Sequence, residues 1–144
     1  MKNPLRLATF CLVSAFAFSS VALAALPRES SDIKLGNDLA AACTALVEHD
    51  VSESGKLASR ACSDFLGALV MKVSEATEPG MQTQFSRIGP KQDQSACFHL
   101  PASLKFTEFA QLVLNYRKSH PELDTRPAFE LGAWTLSTNF PCKE

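Results

Sequence analysis

Histidine is scarce in this chain, three in 144 residues, and the short patterns that announce most hydrolases and metalloproteins are missing. There is no G-x-S-x-G, no H-E-x-x-H, no glycine-rich phosphate loop and no C-x-x-C-H. No C-x-x-C occurs either, and cysteine spacings of 19, 35 and 45 match no zinc pattern, so no metal or cofactor is expected. Lysine and arginine form no stripe, which excludes nucleic acid as a partner class. The histidines that are present offer little chemistry. His49 stands beside Asp50 at a turn, and His120 suits the end of a helix. His99 lies near Cys97, whose thiol would have to be free to act as a nucleophile. The chain is therefore not expected to be an enzyme.

What is there begins with an apolar leader. Lys2 and Arg6 precede a charge-free run, residues 7–24, that closes on Ala22-Leu23-Ala24. This is the layout of a secretory signal peptide cut after Ala24, with Cys11 too deep in the apolar run for lipid attachment. Residues 1–24 are thus expected to be removed, leaving no membrane segment and one domain over 25–144. Without Lys2 and Arg6 the balance is 12 basic to 15 acidic residues, a net charge near −3.

Apolar spacing then marks helices. Leu35, Leu39, Ala42, Cys43, Leu46 and Val47 share one helical face. Ala58, Cys62, Phe65, Leu66, Leu69, Val70 and Val73 mark a second helix over 55–76, ended by Glu78-Pro79-Gly80. Residues 79–96 hold no period and read as a long irregular loop, a place where function often resides. Thr107 is the expected N-cap of a third helix with Phe109, Leu112, Val113 and Tyr116 buried, stopped by Pro121. Asp124 or Thr125 is expected to cap a fourth, with Phe129, Ala133, Leu136 and Phe140 on one face and Trp134 on its flank. Tyr116, Phe129 and Trp134 read as core aromatics more readily than as a ligand pocket. No strand run is evident. The fold class is all-α, a small bundle of two helical hairpins with four to five helices.

Four cysteines remain after export: Cys43, Cys62, Cys97 and Cys142. In a small exported chain they are expected to form two disulfides. Facing residues of an antiparallel hairpin are symmetric about its turn. The midpoint of Cys43 and Cys62 is near residue 52, and that of Cys97 and Cys142 near residue 119, both at turns. The pairing 43–142 with 62–97 also has its midpoints in loops, so symmetry favours the local pairing and leaves the other open.

The second half carries a further pattern. Cys97 and Pro101 precede a helix. Tyr116, His120, Pro121 and Glu122 form a Tyr-x-x-x-His-Pro-Glu turn, and Phe140, Pro141 and Cys142 follow the last helix. With "GNDLAAAC" at 36–43 and "CSDFLGAL" at 62–69, this resembles the Rap1a/Tai family of periplasmic immunity proteins. The resemblance covers most of 35–142, with 79–96 unmatched. Asp64 and Ala68 stand where it leads one to expect glycines, which bears on how closely the second helix approaches its neighbours.

The resemblance implies a periplasmic homodimer that binds a peptidoglycan amidase toxin delivered by a type VI secretion system, blocks its cleft, and has no catalytic residues. Partner recognition is then expected in loop 79–96, particularly at Phe85, Arg87, Lys91 and Gln92, with a helix face as the competing location. A small periplasmic helical stress chaperone, or a binding protein with a non-toxin partner, is the alternative function.

Overall fold

The computed structural model describes residues 26–75, 83–88 and 94–142, with side chains described at 26–73 and 95–142. The expected leader, residues 1–24, lies outside these residues, as do Glu78-Pro79-Gly80. Four helices are present: α1 (Gly36–Val47), α2 (Glu53–Glu75), α3 (Phe106–Ser119) and α4 (Ala128–Asn139). Short 3-10 turns at Ser30–Asp32 and Pro121–Thr125 precede α1 and α4. The segment read as irregular contains two strands, β1 (Thr83–Ile88) and β2 (Gln94–Phe98), paired as an antiparallel hairpin. The architecture is a helical bundle with one small hairpin attached.

Helix α1 is the central element, packed on α2, α3 and α4. Ala42, Ala45 and Cys43 on its buried face are small, so α2 can come close enough for the Cys43–Cys62 disulfide, with Cα atoms 5.1 Å apart. On α2 the matching face is Ala58, Ala61, Cys62, Leu66, Leu69 and Val73, all buried. Asp64 and Ala68 are exposed, so the absence of glycine at those positions costs nothing in helix approach. Phe98, Phe109, Val113, Leu131 and Leu136 fill the space towards α3 and α4. Each such side chain stabilises the fold by about 1.5–3 kcal/mol through burial.

The helix ends show local chemistry more than pattern. The Asp38 carboxylate accepts the N–H groups of Lys34 and Leu35 (3.2 and 2.9 Å), satisfying donors at the start of α1. At the other end the Asp50 N–H returns to the Ala45 carbonyl (3.0 Å) while His49 takes a left-handed conformation, φ 54°. Ser52 caps α2 by accepting the Gly55 N–H (3.0 Å). A side chain at Gly55 would run into Asp50, whose carboxylate accepts the Ser52 N–H (2.9 Å). Because His49 occupies a conformation that suits glycine, His49→Gly should raise stability by about 0.5–1 kcal/mol. A higher urea midpoint is the expected reading; a lower one would show that the imidazole itself holds the turn.

Three sequence expectations change here. Helix α3 starts at Phe106 with Lys105 before it, so Thr107 is inside the helix and is not its cap. Helix α4 starts at Ala128 after Pro127; Asp124 and Thr125 belong to the preceding 3-10 turn. Phe129 is 40% exposed, and the buried face of α4 is set by Ala128, Leu131, Gly132, Thr135 and Leu136.

Candidate functional site

The hairpin is the segment whose placement matters for a binding role, and it is held from one side. Ala96 and Phe98 of β2 are fully buried. The Ser137 hydroxyl of α4 donates to the Cys97 carbonyl (3.1 Å). Beyond β2, the His99 N–H donates to the Phe140 carbonyl (3.0 Å), and His99 Nδ1 donates to the Pro141 carbonyl (3.0 Å). Phe98 and Pro141 form an antiparallel bridge. The Cys97–Cys142 disulfide, Cα atoms 5.5 Å apart, closes this strap covalently. Together these contacts turn the chain end into a third partial strand along β2.

Within the hairpin, Phe85 is register partner of Ala96, and Ser86 of Ser95. The pairing then slips, so Arg87 is the extra residue of a β-bulge between Ser86 and Ile88. Bulges re-aim the strand and are enriched beside functional surfaces. Lys91 and Gln92 lie outside the described residues. Of the four residues expected to meet a partner, the structure therefore puts Phe85 and Arg87 on β1. Its strand register was hidden in the sequence because "TQFSRI" and "QSACF" lack an alternation of large apolar residues.

The histidine turn has its own logic. Tyr116 and His120, one helical turn apart, stack with ring centroids 4.2 Å apart, and His120 Nδ1 meets the Glu122 carboxylate at 3.1 Å. The Leu123 N–H bonds back to the His120 carbonyl (3.1 Å), so Pro121 opens a 3-10 turn instead of ending structure. Hydrogen bonding by its own backbone N–H and by His120 holds the Glu122 carboxyl below the usual range.

Two ion pairs that motif reading did not find lock the same region. Arg117 grips Asp124 with two parallel bonds (2.6 and 2.7 Å). Arg126 grips Glu130 likewise (3.1 and 2.8 Å), and the Glu130 side chain is only 3% exposed. The i, i+4 spacing was a signal for the second pair; nothing local marks the first, which spans a turn. Hydrogen bonding to Arg117 lowers the Asp124 pKa and raises that of the guanidinium. Since the folded carboxylate titrates below its unfolded counterpart, this stabilisation is complete above the usual carboxylate range and is lost as pH falls through the lowered value. Solvent screening at half-exposed Arg117 limits it, and Asp124→Asn should cost about 1 kcal/mol at neutral pH. The difference from wild type should shrink in urea titrations as the pH is taken below the usual carboxylate range.

Among the described residues the four cysteine sulfurs are paired, as Cys43–Cys62 and Cys97–Cys142. The favoured local connectivity is the one observed, and the Cys97 thiol is not free to pair with His99. Among the described residues no group of three or more His, Cys, Asp or Glu is arranged to hold a metal, and no helix is long and apolar enough to cross a membrane.

These features define a class: a small, oxidised helical bundle in which a β-hairpin is clamped against the last helix by the chain end. Compared with protein-family models, residues 35–142 match the Rap1a immunity proteins, and the chain belongs to that family. The match starts beside the first turn of α1 and ends on Cys142. Membership makes it an immunity protein, one whose partner is a toxin. Neither the curated proteins nor the solved structures give a match.

Proposed function

We propose that the chain is exported by residues 1–24, remains in the periplasm, and there binds and inhibits a peptidoglycan amidase delivered by a type VI secretion system. It acts as a homodimer and as an inhibitor, with no reaction of its own. The observation that carries this reading is the family match over 35–142. The fold supports it: an inhibitor gains affinity when its binding surface is ordered beforehand, and two disulfides plus the strap order this one. The thiol a Cys/His hydrolase would need is bonded to Cys142.

The partner surface includes the hairpin region 79–96, with Phe85, Arg87, Lys91 and Gln92 as contacts. The test pairs the chain with an amidase encoded beside its gene. Cells that export the amidase should lyse, and co-expression of the full chain should protect them, whereas a chain starting at Ala25 should not. Light scattering should give a dimer mass for the protein alone. Replacing Arg87, Lys91 and Gln92 together with alanine should weaken amidase binding about tenfold or more while leaving thermal stability unchanged. Unchanged affinity in that variant moves the interface to a helix face; failure of protection by the full chain overturns the amidase reading.

A further inference from the structure

The two disulfides differ in what surrounds them. Cys43 and Cys62 are both 0% exposed, sealed between α1 and α2. Cys97 and Cys142 are both half-buried, the latter two residues from the chain terminus. Thiol–disulfide exchange needs an attacking thiolate in line with the bond, so access decides which bond reacts. We propose that the Cys97–Cys142 disulfide is an exchange site for dithiols, small or carried on a protein as a Cys-x-x-Cys pair, and that its opening releases the strap while the Cys43–Cys62 bridge stays closed.

In the step, one dithiol thiolate attacks a sulfur of the Cys97–Cys142 pair, breaking that bond and forming a mixed disulfide. The second thiolate resolves it. Two electrons pass to the pair, whose sulfurs leave as thiols after taking up two protons, and the dithiol departs as a disulfide. The contacts left between β2 with His99 and the end of the chain include the Phe98–Pro141 bridge, the two His99 bonds and the Ser137 bond. None encloses a loop covalently, so the segment after α4 can lift away and leave that side of β2 uncovered. Because β2 is the partner of β1, the latch regulates the surface assigned above to toxin binding, and this consequence rests on that assignment.

Oxidised full-length protein is exposed to graded dithiothreitol without denaturant, quenched with N-ethylmaleimide, and mapped by peptide mass spectrometry. Cys97 and Cys142 should label together, about tenfold or more faster than Cys43 and Cys62. Circular dichroism on the same samples should show the helices intact while only the first pair is labelled. Simultaneous labelling of all four, or earlier labelling of Cys43 and Cys62, overturns the latch. The Cys97→Ser/Cys142→Ser variant, which cannot close, should keep its helical signal; an unfolded variant also overturns it. Amidase binding by that variant is read separately. Retained affinity removes the link to the binding surface and overturns that part of the proposal, and the labelling order needs no toxin at all.

Discussion

Arg126→Ala lowers the unfolding free energy by about 3 kcal/mol, because it takes a two-pronged partner from a carboxylate that the fold has almost entirely removed from water. Glu130 lies in the first turn of α4 with its side chain 3% exposed, and the Arg126 guanidinium meets both of its oxygens. Both residues make a further interaction, and Arg126 keeps some contact with solvent, which places the cost at the lower end of the range for broken buried pairs. The pair as a whole need not be worth that much. Replacing both residues by apolar ones of similar volume, Arg126→Met with Glu130→Leu, should restore most of the loss, since two desolvation penalties disappear together. Urea unfolding of the single and double variants checks this. A single variant within about 0.5 kcal/mol of wild type would mean that water reaches Glu130 in solution.

Cys43→Ala with Cys62→Ala should cost about 3 kcal/mol, the chain-entropy value for a 19-residue loop. The bond joins the two longest-packed faces of the bundle, and both sulfurs are fully enclosed, so lost packing adds to the lost constraint. A domain of this size holds about 5–15 kcal/mol in total, so the variant should still fold at room temperature, with its thermal midpoint lowered by on the order of 10 °C. The single variant Cys43→Ala should be no better, since it also leaves a thiol at Cys62 open to wrong pairing. A midpoint unchanged in the double variant would show that the bridge decorates a hairpin already closed by packing.

Much of this architecture is legible from residue spacing. The stripes at 39–47 and 58–73 are α1 and α2 because an amphipathic period persists whatever the partner is. The cysteine symmetry works because Cys43 and Cys62 lie on the helices either side of one turn, while Cys97 and Cys142 lie before α3 and after α4. Helix starts were less legible. Asp124 has the right chemistry for a cap, but a two-pronged bond to Arg117 is worth more to a carboxylate than one backbone N–H. Thr107 is likewise a good cap, placed two residues too late. The hairpin was not legible at all: among the described side chains of β2 only Ala96 and Phe98 are buried, and β1 is broken by a bulge at Arg87, so a period of two never accumulates. Of the candidate site, the covalent frame could be read from four cysteines, while the strap could not. The His99 bonds join residues some forty positions apart: the one to Phe140 uses backbone groups that every residue type carries, and the one to Pro141 uses a ring nitrogen whose partner no local pattern marks.

Near the start of α1, the Gly36 N–H donates to the Arg126 carbonyl (2.9 Å) and the Ala128 N–H to the Lys34 carbonyl (2.8 Å). A side chain at Gly36 would collide with the Leu123 carbonyl, so the two backbones touch directly. A ribosome delivers residue 34 long before residue 128, and this seam cannot be sewn until residue 128 has been made, about ninety residues later. Helices α1 and α2 can meet during synthesis, but a polypeptide cut short by a premature stop is left with an open flank. The seam thereby tests whether α4 has been made, and a copy without it leaves the backbone groups at the start of α1 unjoined.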